Sequence, residues 1–195
     1  MTRRTFVTGV GASMVAPGCA RPAEPARSRD VPAPVFWAFQ RQLAHAHSEL
    51  RALAEALLGA IRDPATATDA IADAIAVFCQ QLLAHHKAED MFFFPAFRAA
   101  RRLRSSDVAF LEARDLEHLD LHRLCLELRE TGRKPRARPL WRASLDSTVV
   151  ELRALSLPHF ELEERALTAS HVATLLDAGE LTAVYADMQR NWNQR

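Results

Sequence analysis

Two segments of this chain place a histidine and a glutamate four residues apart within regularly spaced apolar residues: His85 with Glu89, and His159 with Glu163. On an α-helix, residues i and i+4 lie one above the other, about 40° apart around the axis. Each pair therefore points to the side that packs into a core. An ionisable pair facing a core is costly unless something compensates it, and a bound metal does so. Histidine with carboxylate is the ligand set of non-haem iron.

The apolar periodicity predicts an all-α fold. Core-facing stripes run over about residues 35–61, 66–102, 107–131 and 139–166. Four long helices joined by short loops indicate an up-down-up-down four-helix bundle. Pro95 is expected to bend the second helix near its end. Ser170 is expected to cap a short fifth segment, and a short C-terminal helix from Leu181 to Trp192 is predicted to pack outside the bundle.

Composition sets the class of protein. The chain has 195 residues, 49% of them hydrophobic, so it can bury one sizeable core, and residues 35–192 are expected to form a single domain. A net charge of +1 gives no reason to expect a nucleic-acid partner. Nothing reaches the roughly 18 apolar residues that a membrane span needs.

The N-terminus differs in composition. Residues 2–7, Thr-Arg-Arg-Thr-Phe-Val, resemble a twin-arginine export signal and precede a mildly apolar stretch. We expect residues 1–20 to be a signal segment and residues 21–34, rich in proline and charge, to be a linker. The chain is then periplasmic or exported, with Cys19 as a candidate lipid anchor. The alternative is a basic N-terminus without signal function, on a cytoplasmic protein.

Cys79 and Cys125 fit no zinc spacing. They are predicted at similar heights on neighbouring antiparallel helices, so a disulfide between them is one alternative in an oxidising compartment. Two separate buried thiols are favoured, because Cys79 lies about 120° around the helix from His85.

Each of the four helices interrupts its inward face with histidine near mid-length. In an antiparallel bundle these midpoints meet at one level. A metal-free bundle would have to satisfy all of these polar groups by hydrogen bonds in its interior. We therefore predict a metal site formed by seven residues: His47, His85, Glu89, His118, His122, His159 and Glu163.

Other polar residues are predicted to lie outside this layer. Three histidines are excluded by their rotation or their position in the chain: His45, His86 and His171. Three carboxylates are rotated by about 140° or more and are predicted on the solvated surface: Asp90, Asp120 and Glu164. Asp115 is expected either to orient His118 or to lie on the surface. Tyr185 lies in the predicted C-terminal helix, so no tyrosine is expected near the site, which argues against a tyrosyl-radical enzyme.

The order of the histidines and glutamates resembles the hemerythrin family, specifically its bacterial HHE-type cation-binding domains. Ferritin-like di-iron bundles use Glu-x-x-His, and no histidine here follows a glutamate by three residues. Four segments match in order over about residues 35–165: His47–Leu50, His85–Pro95, Glu117–His122 and His159–Glu164. No Phe-Pro follows the fourth segment, and Glu163 comes four residues after His159, where the invertebrate oxygen carriers have Asp after five. These departures favour the bacterial branch over oxygen transport.

The resemblance implies two non-haem irons bridged by Glu89, by Glu163 and by a single oxo or hydroxo group. With five histidines as ligands, eleven of the twelve positions on two octahedral ions are filled. The one open position suits end-on binding of O₂ or NO. This count depends on His122. We expect His122→Ala to keep iron but to hold O₂ for a shorter time.

The implied function is binding of O₂ or a related diatomic ligand for storage, delivery or sensing. The alternatives are a di-iron enzyme that acts on NO or peroxide, or an iron donor for repair. A third alternative, an interaction protein whose metal controls docking, is the weakest, because only a short tail follows the fourth helix.

Overall fold

The computed structural model describes residues 31–133 and 138–192. They form α1 (Pro34–Arg62), α2 (Thr68–Ala88), a π-helical turn (Glu89–Phe93), α3 (Phe94–Arg98), α4 (Ser105–Arg133), α5 (Arg138–Ala166), α6 (Ala169–Leu175) and α7 (Ala178–Trp192). These residues contain no β-strand, so the predicted all-α class is confirmed. The predicted signal segment, Cys19 and most of the predicted linker lie outside the described residues. Within the described ranges, no helix has the length and apolar character needed to span a membrane.

The second predicted helix is not continuous. It ends at Ala88 and continues as the π-helical turn, in which Phe94 N–H bonds to the carbonyl of Glu89, five residues back. Pro95 has no N–H, and in a regular helix its ring would clash with the carbonyl of Met91. The widened turn avoids this clash, and Pro95 then lies in the first turn of α3. The chain is therefore helical from Thr68 to Arg98, within the predicted range of 66–102, but Glu89–Phe93 form a π-helical turn that the sequence analysis did not predict.

The four long helices pack in a ring, in which α1 contacts α2 and α5, and α4 also contacts both of these. Contacts at two levels show how α1 and α5 are oriented. Arg62 at the end of α1 pairs with Asp146 near the start of α5. His47, in the first half of α1, bonds to Glu164 near the end of α5. The two helices therefore run in opposite directions.

The last two helices both pack against α1. The hydroxyl of Thr168 accepts a hydrogen bond from the backbone N–H of His171, so Thr168, not the predicted Ser170, caps α6. Helix α7 begins at Ala178, three residues before the predicted start. It contacts α1 and the π-helical turn, and so lies beside Glu89.

The buried apolar side chains form two separate clusters. On every long helix, the change from one cluster to the other occurs at the level of the predicted metal site. One cluster includes Leu50, Leu82, Leu121 and Leu152. The other includes Leu43, Phe93, Leu111 and Leu167. A layer of buried polar residues therefore divides the core in two.

Cys79 and Cys125 are both buried, and both are free thiols. The thiol of Cys79 donates a hydrogen bond to the backbone carbonyl of Cys125, with a sulfur–oxygen distance of 3.6 Å. The structure thus has the two separate buried thiols that the sequence favoured, rather than a disulfide.

Candidate metal centre

The polar layer contains two groups of potential ligand atoms, and within each group these atoms lie within 4.8 Å of one another. The first group is His47, His85, Glu89 and Glu163. The second group is His86, Glu89, His118 and His159. Six of the seven predicted site residues are thus brought together, and Glu89 belongs to both groups.

The two glutamates lie between the histidines of both groups. Oε1 of Glu89 lies 3.4 Å from Nε2 of His85, and its Oε2 lies 3.6 Å from Nε2 of His118. Oε2 of Glu163 lies 3.3 Å from Nε2 of His47, and its Oε1 lies 3.3 Å from Nε2 of His159. Each carboxylate therefore turns one oxygen toward each side of the layer. This is the arrangement in which a carboxylate can bridge two metal ions.

His86 was excluded by sequence reasoning, but it is fully buried in the second group. Its ring stacks on that of His118, with 4.0 Å between centroids. The layer is wide enough for adjacent residues to contribute to different groups, His85 to the first and His86 to the second. One signal could have indicated this. Cys79, Leu82 and His86 have the spacing of a second inward-facing stripe, and all three are fully buried.

His122 belongs to neither group. Its ring lies 5.2 Å from that of His86 and 6.1 Å from that of His118, measured between centroids. Its Nε2 is buried without a hydrogen-bond partner. The structure therefore places His122 next to the second group, behind His86, and His86 fills the position that was predicted for His122.

Three of the histidines are held by carboxylates outside the two groups. Each bond joins a ring Nδ1 to a carboxylate oxygen: His47 to Glu164 at 3.0 Å, His118 to Asp90 at 2.7 Å and His159 to Glu117 at 2.7 Å. An ionised carboxylate can only accept a hydrogen bond. Each Nδ1 therefore carries the ring proton and donates the hydrogen bond. The lone pair of each ring is then on Nε2, the nitrogen that faces the layer.

These carboxylates correct the sequence analysis in two places. Asp90 and Glu164 were predicted on the solvated surface, but each side chain is about two-thirds buried by its histidine. Asp115 does not reach His118 and instead pairs with Arg98. Asp120 is exposed, as predicted. A carboxylate at the side of a helix can bond to a histidine on a neighbouring helix, as Asp90 and Glu164 do, so helical rotation alone does not exclude it.

A buried arginine, which sequence reasoning missed, supports His159. Arg114 forms an ion pair with Glu117, and its guanidinium also donates to the backbone carbonyl of His159 at 3.4 Å. Arg114 thus helps to hold the carboxylate that orients His159. It also places a positive charge near Glu163, which counteracts part of the effect of burial on that carboxyl.

Many polar atoms in this layer have no hydrogen-bond partner. They include both ring nitrogens of His86, the Nε2 atoms of His118 and His159, and all four carboxylate oxygens of Glu89 and Glu163. In the first group, the Nε2 atoms of His47 and His85 face each other at 3.0 Å. Each unpartnered buried polar group costs about 1–3 kcal/mol, so this many together require a common partner.

Burial sets the protonation of these groups. It lowers the pKa of His47 and of His85 to about 3, and that of His159 to about 2. These rings are therefore neutral near pH 7, which is the state that binds metals. Burial also raises the pKa of Glu89 and of Glu163 well above the usual range. A divalent cation between the groups would stabilise both carboxylates and reverse this effect.

The donor set fits transition-metal ions. Neutral imidazole suits iron, zinc, copper and nickel, whereas the hard cations magnesium and calcium prefer all-oxygen sites. The orphaned lone pairs converge from both sides on the two shared carboxylates. The residues present therefore fit one cation in each group, with Glu89 and Glu163 between them.

Tyr185 lies near the first group. It lines a pocket that is also lined by His85 and Glu89. The prediction that no tyrosine lies near the site is therefore wrong. It was based on distance along the chain, and the docking of α7 on the π-helical turn brings Tyr185 back to this level.

Residues 39–114 match the family model described as Hemerythrin HHE cation binding domain. No curated protein and no solved structure matches the chain. The matched span contains His47, His85, His86 and Glu89 and ends before His118. It thus covers α1 to the first third of α4, and the remaining site residues rest on the geometry described above.

Proposed function

We propose that this chain is a hemerythrin-like protein that holds two iron ions and binds O₂ or a related diatomic ligand, for storage, delivery or sensing. The observation that carries the proposal is the pair of carboxylates, each of which turns one oxygen to each of two groups of buried imidazole nitrogens. A single ion would need only one such group.

The number of donors supports an open position on one ion. The first group offers two imidazoles and the second offers three, and each carboxylate gives one oxygen to each side. The two ions then have four and five protein donors. An octahedral ion held by the first group would therefore have more positions not filled by protein than one held by the second, which leaves room for a small ligand on that side. When bound, ferrous iron supplies the electrons and the free position that a diatomic ligand needs.

Aromatic side chains support binding in a dry site. The ring of Phe160 stacks on His47 at 4.5 Å, and that of Phe94 stacks on His118 at 5.6 Å, between centroids. Both phenylalanines are buried. They keep water away from the imidazole faces and hold the rings in the orientation that the carboxylate bonds select.

The contacts also support the predicted up-down-up-down order of the four long helices. Beyond the opposed α1 and α5, the indole of Trp141 at the start of α5 donates to the carbonyl of Thr131 at the end of α4. His118 in the middle of α4 bonds to Asp90, while Cys125 further along α4 is bonded by Cys79, which comes earlier in the chain than Asp90. These contacts are the ones expected if α4 runs antiparallel to both α5 and α2.

We further propose that the chain is exported through its twin-arginine-like segment, with Cys19 as a candidate lipid anchor. This proposal rests on residues 1–20 alone. Mass spectrometry of the protein from a cell fraction tests it. An intact Met1 in the cytoplasmic fraction would contradict it.

Anaerobic reconstitution tests the metal proposal. We expect the full chain, titrated with ferrous iron, to bind two irons per chain and then to give a reversible change in absorbance as O₂ is added and removed. One iron per chain, or none, would contradict the two-ion site. Two irons that oxidise irreversibly while NO or peroxide turns over would favour the enzyme alternative, and iron release to an acceptor would favour a role in repair.

A further inference from the structure

Access to the metal centre is restricted to one side. Among the residues of the two groups, His85 has the most exposed side chain, at 10% of its surface, whereas those of His47 and Glu163 are fully buried. His85 belongs to the first group, which has fewer protein donors than the second. A ligand from solvent therefore meets the side with the free position first.

A pocket of about 180 Å³ opens onto this side of the centre. His85, Glu89 and Gln42 line it together with mainly apolar side chains of α1, α2, the π-helical turn and α7. It exceeds the roughly 30 Å³ that one water molecule occupies in the liquid. A diatomic ligand therefore fits with room to spare, and the apolar lining favours an uncharged one.

Helix α7 supplies one wall of this pocket through Tyr185 and Met188. The ring of Tyr185 contacts that of Phe93 edge to face, with 5.5 Å between centroids. Burial raises the pKa of Tyr185 to about 12, so the phenol is uncharged at neutral pH. Met188 is half-buried and has a flexible side chain that adapts to its neighbours. This wall of the pocket is thus uncharged. A substitution at Met188 can change the width of the pocket without altering the residues of the two groups.

We propose that this pocket is the route by which a small uncharged ligand reaches the His85 and Glu89 side of the metal centre, and that Tyr185 and Met188 set its width. The destination of the ligand rests on the proposed function. That the pocket admits an apolar molecule is independent of the proposed function.

A second, larger pocket of about 600 Å³ lies between α1 and α2 and offers a matched comparison. It shares Ala46 and His85 with the first pocket, but Glu89 does not line it, and its lining includes the charged side chain of Glu49. Val77 lines this pocket and is 47% exposed, so a large side chain there fills the second pocket just as one at Met188 fills the first.

The first arm of the test measures association of NO with the ferrous-loaded full chain by stopped-flow absorbance. We expect Met188→Trp to slow association by about tenfold and Met188→Ala to accelerate it, because the route is narrowed or widened. Val77→Trp and the exposed α7 variant Gln189→Ala should leave the rate within about twofold of the wild type. If Met188→Trp unfolds, Met188→Phe is the smaller filling variant.

The second arm needs no redox chemistry. Xenon, an uncharged apolar probe, is titrated into the full chain loaded with Zn²⁺, and amide NMR shifts are followed at Leu43 and Ala88, which line this pocket and not the larger one. We expect saturable shifts at both residues that Met188→Trp abolishes and Val77→Trp preserves.

The two arms separate the inference from the proposed function. An NO rate that Met188→Trp leaves unchanged, or that Val77→Trp slows equally, overturns the route, as does the absence of xenon shifts. If the wild type binds no iron, the proposed function fails, and the xenon titration alone then decides whether the pocket admits an uncharged ligand past Met188.

Discussion

Replacement of His86 by alanine distinguishes the metal site described here from the one expected from sequence. The imidazole of His86 is one of three in the second group, and neither of its nitrogens has a hydrogen-bond partner. His122 stands directly behind it and offers no atom to either group. If His86 is a ligand, its loss should weaken one of the two ions, and the loss of His122 should not.

The magnitude follows from the number of donors. Loss of a partner that only orients a ligand typically reduces metal affinity by about 10- to 100-fold. Removal of a ligand itself should exceed this, so we expect His86→Ala to lower the affinity for one ion by at least about 100-fold, or about 2.7 kcal/mol. We expect His122→Ala to change it by less than about tenfold.

The metal-free chain should respond differently. There, His86→Ala removes two unpartnered buried nitrogens, which relieves a cost of about 1–3 kcal/mol. It also leaves a cavity where the ring stacked on His118, which costs a similar amount. The two effects oppose each other, so the free energy of unfolding without metal should change little.

The assay is iron titration of the wild type and both variants, with metal analysis and Mössbauer spectroscopy, alongside urea unfolding of the metal-free proteins. We expect two irons in the wild type and in His122→Ala, and one tightly bound iron in His86→Ala. Two tightly bound irons in His86→Ala, with one lost from His122→Ala, would refute the assignment of His86 to the second group.

Three further changes test other parts of the structure. Glu117→Gln weakens the bond that holds His159, and we expect metal affinity to fall by about 10- to 100-fold in chelator competition, with Asp115→Asn as the control that leaves it unchanged. Metal affinity should rise with pH and binding should release protons, measured in a weakly buffered indicator solution. This is because Glu89 and Glu163 have a raised pKa and hold protons that the metal must displace, whereas His47 and His85, with a pKa of about 3, are already neutral. A pH-independent affinity near neutrality would contradict this. Arg142→Met removes a guanidinium that donates to four backbone carbonyls at the end of α1 and in the loop after it, and should lower the free energy of unfolding in urea by about 2–4 kcal/mol, whereas the exposed variant Arg101→Met should not.

The periodic stripes predicted the long helices because those helices owe their place in the fold to the burial of one face. The π-helical turn was not predicted, because the residues around Glu89 are compatible with both an α-helix and a π-helix. Only the clash of Pro95 with the preceding turn selects the wider π-helical turn. Tyr185 was misplaced for a different reason. Its position depends on how α7 docks against α1, and no local pattern in the sequence encodes that contact.

Helical rotation predicted the site residues that face directly inward. It missed the residues whose side chains enter the site from the side of a helix. His47 and His159 face inward by rotation alone. His86 is a ligand candidate because the layer contains two groups side by side. The prediction allowed only one inward-facing direction on each helix, so it could not place both His85 and His86 in the layer. Asp90 and Glu164 lie at the side of their helices, and their side chains turn back toward a histidine on a neighbouring helix.

The division of the core explains why metal and fold should be coupled in this chain. Among the described residues, the buried apolar side chains form two separate clusters, and each long helix brings at least one potential ligand to the polar layer between them. Without metal, the layer holds the clusters together through few hydrogen bonds, because many of its buried ring nitrogens and carboxylate oxygens have no partner. Two bound cations would join all four helices at this level, so that part of the metal-binding free energy is also free energy of folding. The site therefore lies at the one level of the bundle where apolar packing alone does not hold the helices together.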